Sequence, residues 1–207
     1  MERPGGRTAR VRAAVLRAAG DVLAEQGFAH LDLSDLARRA DVGKTTVYRR
    51  WGTVTAVVTD LLAEMAAESL PRTETGSLLG DLRANARLVR ATLTDPRQGP
   101  LFAAVIAAAT CDDATARALR TFYATRIAEW APCVTQAVAR GEVPEGTDAG
   151  EVIRAVSAPL YYRLLTGAGD LGEEVADRAA EAAAAAARAG VFAAGAAGGI
   201  NTASGAR

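Results

Sequence analysis

Apolar positions recur along the chain at three- and four-residue spacing, and strand-type alternation is nearly absent, so the pattern predicts helices throughout. The first is expected over about residues 8–26. Val11, Val15, Val22 and Leu23 form its stripe, with Ala18 and Ala19 between them, and Gly27 stops it. A short helix follows over about residues 33–40. Asp32 is placed to cap it, and Asp35 sits in its first turn, where a carboxylate suits the helix dipole. Asp41-Val42-Gly43 reads as a tight turn, residues 44–51 as a second short helix ended by Gly52, and residues 53–69 as a long helix.

Further helices are expected over about residues 77–94, 100–110, 112–140, 147–166 and 173–194. Pro71, Pro96, Pro100 and Pro144 fall between these segments, while Pro132 and Pro159 fall inside them, and Pro132 is expected to bend its helix. That helix is the longest. Leu119, Phe122, Tyr123, Ile127, Trp130, Val134 and Val138 give it a sustained apolar face. The Gly-, Ala- and Ser-rich residues 195–207 are expected to form a disordered tail.

Two short helices joined by a three-residue turn are the minimum helix-turn-helix. Val47 and Trp51 are four apart and share a face, so they should point inward to Leu36, Ala37 and Ala40. The opposite face then carries Lys44, Thr45, Tyr48 and Arg49. Lys44 can donate to guanine O6 or N7, and Thr45 can meet a thymine methyl. Tyr48 and Arg49 can hold phosphates and fix the register. Thr46, Arg50 and Arg7 complete the set of candidate DNA contacts. The competing reading is a solvated helix in a plain bundle, for which an exposed tyrosine among three basic side chains is an unusual composition.

Charge distribution favours the first reading. The 207 residues are 50% hydrophobic, 23% charged and formally neutral. They hold enough apolar material to bury a core in one domain or two small ones. Residues 1–51 nevertheless hold ten Lys plus Arg against six Asp plus Glu, a net of +4, leaving 14 basic and 18 acidic groups, a net of −4, in the remainder. A basic front on an acidic back suits a nucleic-acid-binding head joined to a second module.

Other chemistries are poorly supplied. Cys111 and Cys133 are the only cysteines and lack a short spacing, which argues against a disulfide framework and a zinc site. His30 is the only histidine, so any Ser-His-Asp or Cys-His machinery would have to use this one residue. No catalytic residue, metal or cofactor is expected. No apolar run reaches the roughly 18 residues of a membrane span, and the Arg-rich N-terminus lacks the apolar stretch of a signal peptide, so a cytoplasmic location without membrane contact is expected. Three function classes remain: a ligand-responsive regulator, a small all-helical hydrolase or lyase, and a binding or carrier module without DNA affinity. The lone histidine and the want of a nucleophile motif weigh against the second.

The segment from Arg7 to about Val57 resembles the DNA-binding domain of the TetR family, the tetracycline-repressor-like regulators. The matching stretches are Ala18-Ala19 through Gly27-Phe28, then Asp35-Leu36-Ala37-Arg38-Arg39-Ala40-Asp41-Val42, then Lys44-Thr45-Thr46-Val47-Tyr48-Arg49-Arg50-Trp51. The chain departs from the family at three places: the family usually has Gly at Asp41, Ser at Gly43 and Lys at Val54. Gly99-Pro100-Leu101-Phe102, Ala139-Arg140-Gly141-Glu142 and Ala158-Pro159-Leu160-Tyr161-Tyr162-Arg163-Leu164-Leu165 are similar to one subgroup of the family's effector domains.

The resemblance implies an all-α fold. A three-helix helix-turn-helix DNA-binding domain, residues 1–52, would precede a helical effector-binding and dimerisation domain, residues 53–194, and the tail. It implies a homodimer on double-stranded, pseudo-palindromic operator DNA, most simply a repressor released by an unknown small-molecule effector. Candidate pocket residues are Phe102, Phe122, Tyr123, Arg126, Trp130 and Tyr161, each of which is otherwise ordinary core. Dimerisation is expected on the last two helices, through Ala180, Ala183, Ala184 and Ala187 with Val152, Ile153 and Val156. The helix over residues 53–69 is the expected lever between effector and DNA.

Overall fold

A computed structural model describes residues 4–68, 72–167 and 169–193, and among these the regular structure is helical. The order is α1 (Pro4–Gln26), a 3₁₀ turn (Phe28–His30), α2 (Leu33–Arg39), α3 (Lys44–Arg50), α4 (Val54–Ala67), α5 (Leu78–Thr94), α6 (Gln98–Ala109), α7 (Asp113–Ala139), α8 (Ala149–Thr166) and α9 (Glu173–Arg188). The all-α expectation agrees, and helix ends mostly fall within one or two residues of it. The helix α1 starts earlier than expected, because Pro4 is tolerated in a first turn whose N–H groups have no partner. The tail at residues 195–207 lies outside the described residues.

Two compact units interleave along the sequence. The first comprises Met1–Leu70, Ala91–Arg126 and Leu164–Gly167, and the second comprises Pro71–Arg90, Ile127–Arg163 and Ala168–Arg207. In the first unit α1 packs on α2, α4 and α6. Val15, Leu16, Val22 and Leu23 of α1, Val57, Val58 and Leu62 of α4, and Leu101, Phe102 and Val105 of α6 are buried. Arg97, just before α6, ties that helix to α1 by donating to the Asp21 carboxylate at 2.7 Å and the Arg17 carbonyl at 3.0 Å. Gly99 is required at the α5–α6 corner, because a Cβ there would lie 2.4 Å from the Leu93 carbonyl oxygen.

In the second unit α9 lies along α5. Arg83 pairs with Glu181 at 2.5 Å, Arg87 grips Asp177 through two 3.0 Å bonds, and Arg90 donates to the Leu171 carbonyl at 2.7 Å. The helices α7 and α8 continue through Pro132 and Pro159. Two expectations need correction. The last helix stops at Arg188 rather than near residue 194, because Gly190 takes a left-handed φ of 77° and Val191 N–H returns to Ala186. The chain then folds back so that Asp148 N–H donates to the Phe192 carbonyl at 2.7 Å. The expected seam differs too: Ala180, Ala183, Ala184 and Ala187, like Val152, Ile153 and Val156, are buried within the protomer itself. Small side chains let α9 sit close on its own unit, so that face is not open to a second copy.

Candidate nucleic-acid interface

The geometry of the helix-turn-helix follows from three local devices. Asp32 caps α2: its carboxylate accepts from Ser34 N–H at 2.8 Å and Asp35 N–H at 2.9 Å. The turn then needs a left-handed residue, and Asp41 takes it at φ 53°. A glycine reaches that conformation without cost, whereas Asp is merely one of the tolerated alternatives. The family's usual Gly at this position therefore has a backbone reason. Finally, Gly43 caps α3 through its carbonyl alone, without a side-chain bond.

Burial along α3 has one sense. Val47 is fully buried against the core, while Lys44, Thr45, Arg49 and Arg50 are exposed, Tyr48 is 47% exposed and Thr46 is half-buried. Arg7, on the first turns of α1, is also exposed. The Tyr48 hydroxyl lies 3.2 Å from the Ser34 hydroxyl and so bridges α3 to α2. Arg50 has its guanidinium 5.1 Å from the Trp51 ring centroid, a cation–π contact that fixes its stem. Asp35 pairs with Arg38 and with Arg39 at 2.7 Å, and these two bonds, Arg39 first, hold its carboxyl below the usual range.

A network that sequence reasoning missed anchors the C-terminal end of α3. Trp51 Nε1 donates to Asp60 Oδ2 at 3.0 Å, and Arg12 donates to Asp60 Oδ1 through Nη2 at 2.8 Å and through Nε at 3.1 Å. Arg12 Nη1 also reaches Glu64 at 2.5 Å. Burial acts to raise the Asp60 carboxyl, but the bonds from Arg12 and Trp51 outweigh it and hold the group below its ordinary value. Thus α1 and α4 grip the last residue of the helix-turn-helix. The available signal was an Asp and a Glu, four apart, on a helix with no other charged residue.

The candidate effector residues do not fall in one unit. Phe102, Phe122, Tyr123 and Arg126 lie in the first, and Trp130 and Tyr161 in the second. Phe102 and Phe122 are buried with ring centroids 5.4 Å apart, and Phe122 meets Tyr123 edge-on at 5.3 Å. Trp130 is buried, and Arg126, Tyr123 and Tyr161 are half-buried. Cys111 is exposed, whereas Cys133 is buried and its thiol is pushed up to about 12, chiefly by desolvation, which keeps it un-ionised and inert. Among the described residues no helix is long and apolar enough to cross a membrane.

Residues 15–60 match the family described as bacterial regulatory proteins, tetR family, and residues 72–183 match the tetracyclin repressor-like C-terminal domain. The chain is similar to the uncharacterised HTH-type transcriptional regulator YdeS of Bacillus subtilis (strain 168), 33% identical over 165 residues that cover 79% of this chain and 81% of that one. Among solved structures it is similar to the TetR family transcription regulator SCO0332, with 27% identity, a TM-score of 0.68 and coverage of 84% and 97% of the two chains. It also resembles FrrA, described as a flavonoid-responsive regulator, with 25% identity, a TM-score of 0.62 and coverage of 84% and 93%.

Proposed function

The chain belongs to the TetR family of transcriptional regulators, and we propose that it is a repressor that binds a pseudo-palindromic operator as a homodimer and leaves it when a small-molecule effector binds. The observation that carries DNA reading is the two-sidedness of α3: Val47 is sealed in the core while Lys44, Thr45, Tyr48 and Arg49 face solvent on the other side. Lys44 and Thr45 read base edges, Tyr48 and Arg49 hold phosphates, and Thr46, Arg50 and Arg7 add backbone contacts. Residues 1–52 act as the DNA-binding domain and residues 53–194 as the effector-binding and dimerisation domain.

Dimerisation uses the surface that the protomer leaves apolar and open. On α8, Ala158, Pro159 and Tyr162 are exposed, Tyr162 to 64%, and with Arg163 they border a recess in the second unit. A large aromatic so exposed suits a contact with a second copy. The flavonoid response of FrrA supports an effector for this chain. The lever is α4, because Asp60 binds Trp51 directly: α4 cannot turn without moving the end of α3. Two recognition helices must meet major grooves about 34–36 Å apart, so a small shift weakens binding. A coupling of about 1–3 kcal/mol lowers operator affinity roughly 5–150-fold.

Selection of bound duplexes from random DNA tests the reading. A pseudo-palindrome is expected to emerge and to be lost with an effective effector. Retention of every sequence alike would reduce the protein to a non-specific binder.

A further inference from the structure

Among the described residues the second unit holds four buried side-chain polar atoms without a protein partner, on Asp81, Arg83, Asn85 and Trp130. Arg83 spends another of its donors on Glu181 at the surface, which leaves Asp81, Asn85 and Trp130 as the fully buried residues of the set. Asp81 and Asn85 stand four apart, on one face of α5, and are 1% and 3% exposed; Trp130 on α7 is 2% exposed. One Asp81 oxygen has a structural task, since Oδ1 accepts from Thr75 N–H at 2.7 Å and from its hydroxyl at 2.8 Å. The second oxygen, Oδ2, has no protein partner, and neither has Asn85 Oδ1 or Trp130 Nε1. Buried polar atoms are nearly always paired, and an unpaired one costs its full desolvation, most of all on a carboxylate.

The start of α5 meets the C-terminal end of α7. Leu78 N–H at the start of α5 donates to Glu142, just past the end of α7, at 3.0 Å. Arg72, ahead of α5, donates to Gln136 of α7 at 3.3 Å. Further back along α7, Cys133 stands one turn from Trp130, and the negative charge of Asp81 adds to burial in raising its thiol. The α5–α7 bonds and this charge effect together set Asp81 against the C-terminal half of α7, at Cys133, one turn from Trp130. The same stretches bury Leu82, Ala86 and Val134, and the cations that act there, Arg72 and Arg140, are each held by a carboxylate, Glu74 and Glu142.

We propose that Asp81, Asn85 and Trp130 form the polar end of the effector site, and that the site takes an organic cation bearing N–H donors, an arylalkylammonium or an amidinium. Two free acceptors one helical turn apart, one of them a carboxylate, match N–H donors and neutralise their charge in a dry site. The indole offers its N–H to an acceptor on the ligand, and its ring face is the best side-chain partner for a cation. An anion is repelled by Asp81. A neutral apolar ligand leaves Oδ2 unpaired, which is the strongest form of rejection available to a site of this kind. The inference rests on the effector-responsive reading for its regulatory use, whereas binding itself needs no DNA.

The test is titration calorimetry of the full chain at pH 7 with two matched pairs of probes, benzamidinium against benzamide and phenethylammonium against 2-phenylethanol. At least one cation is expected to bind ten-fold or more tighter than its neutral partner. Asp81→Asn should erase that difference while keeping an acceptor for Thr75. Asn85→Leu does not touch the Thr75 anchor and should weaken the cation five-fold or more, with helix content checked by circular dichroism in both variants. Cations that bind no tighter than their neutral partners, or a preference that survives both substitutions, overturn the proposal. Operator titration with the same probes separates the two readings. Cation binding that leaves DNA affinity unchanged keeps this site and sinks the effector-responsive reading. Release by a neutral or anionic compound, with no cation bound, does the reverse.

Discussion

Replacing Asp60 with alanine removes the carboxylate that Arg12 and Trp51 share. The four donated bonds, two of them shared by Arg12 Nε, run from 2.8 to 3.1 Å. Bonds to a charged group are worth about 1.5–3 kcal/mol each, but those in one network do not add. The Asp60 and Arg12 side chains keep 26% and 27% of their exposure, so water replaces part of what is lost. The cost then lies between the roughly 0–1 kcal/mol of a surface pair and the 3–5 kcal/mol of breaking a buried one, and we expect about 2–3 kcal/mol. Asp60→Asn keeps an acceptor for Trp51 and should cost about 1–2 kcal/mol.

The pH dependence fixes the sign. The folded Asp60 carboxyl is held below its ordinary value, burial being outweighed by the Arg12 and Trp51 bonds. Its contribution is therefore present above the unfolded value of about 3.9 and is lost as pH falls through the folded value. The stability gap between wild type and Asp60→Ala should be flat near neutrality and close below about pH 4. Urea titration followed by tryptophan fluorescence and circular dichroism measures both, and a double-mutant cycle with Arg12→Ala should show a coupling of at least about 1 kcal/mol. A cycle additive within about 0.5 kcal/mol, or a gap that widens in acid, would refute the network as the anchor of α3.

Other substitutions report on the rest of the fold. Asp41→Gly relieves a left-handed non-glycine and should raise stability by about 0.5–1 kcal/mol, read from the urea midpoint; a fall would deny the strain. Gly99→Ala drives a Cβ to 2.4 Å from the Leu93 carbonyl oxygen and should cost about 1–3 kcal/mol by the same measurement. Tyr162→Arg should give monomers of unchanged helicity by light scattering and circular dichroism. Ala184→Arg, fully buried in the protomer, should instead lose helicity, and a folded monomer from that variant would return α9's alanine face to the dimer seam.

The helix-turn-helix was legible because its determinants are local. The Asp32 cap, the Asp41 turn and the inward side of α3 at Val47 all act within one or two turns of chain, so sequence spacing states their geometry; Trp51, expected on the same inward side, is instead half-buried and gives its N–H to Asp60 of α4. The C-terminal half was less legible. An alanine stripe such as Ala180 to Ala187 states only that something packs closely, and whether that is the chain's own α5 or a second copy depends on long-range ion pairs such as Arg87–Asp177. The Asp60 network spans 48 residues from Arg12, and no periodicity announces it. Aromatic residues at helical spacing mark pocket candidates in the sequence itself, whereas the unpaired polar atoms of Asp81 and Asn85 are a consequence of burial that spacing does not state. Gly190 ends α9 through a left-handed φ of 77°, which the helix-favouring alanines before it do not signal.

That α3 reads the operator is tested most directly by titrating the selected duplex and a random duplex at several salt concentrations with wild type, Thr45→Ala and Arg49→Ala. Thr45→Ala should lose about 1–3 kcal/mol on the selected duplex and much less on the random one, with the salt slope unchanged. Arg49→Ala should weaken both alike and reduce the salt slope by about one. If both variants bind the selected duplex as wild type does, with the same salt slope, α3 is not the reading helix.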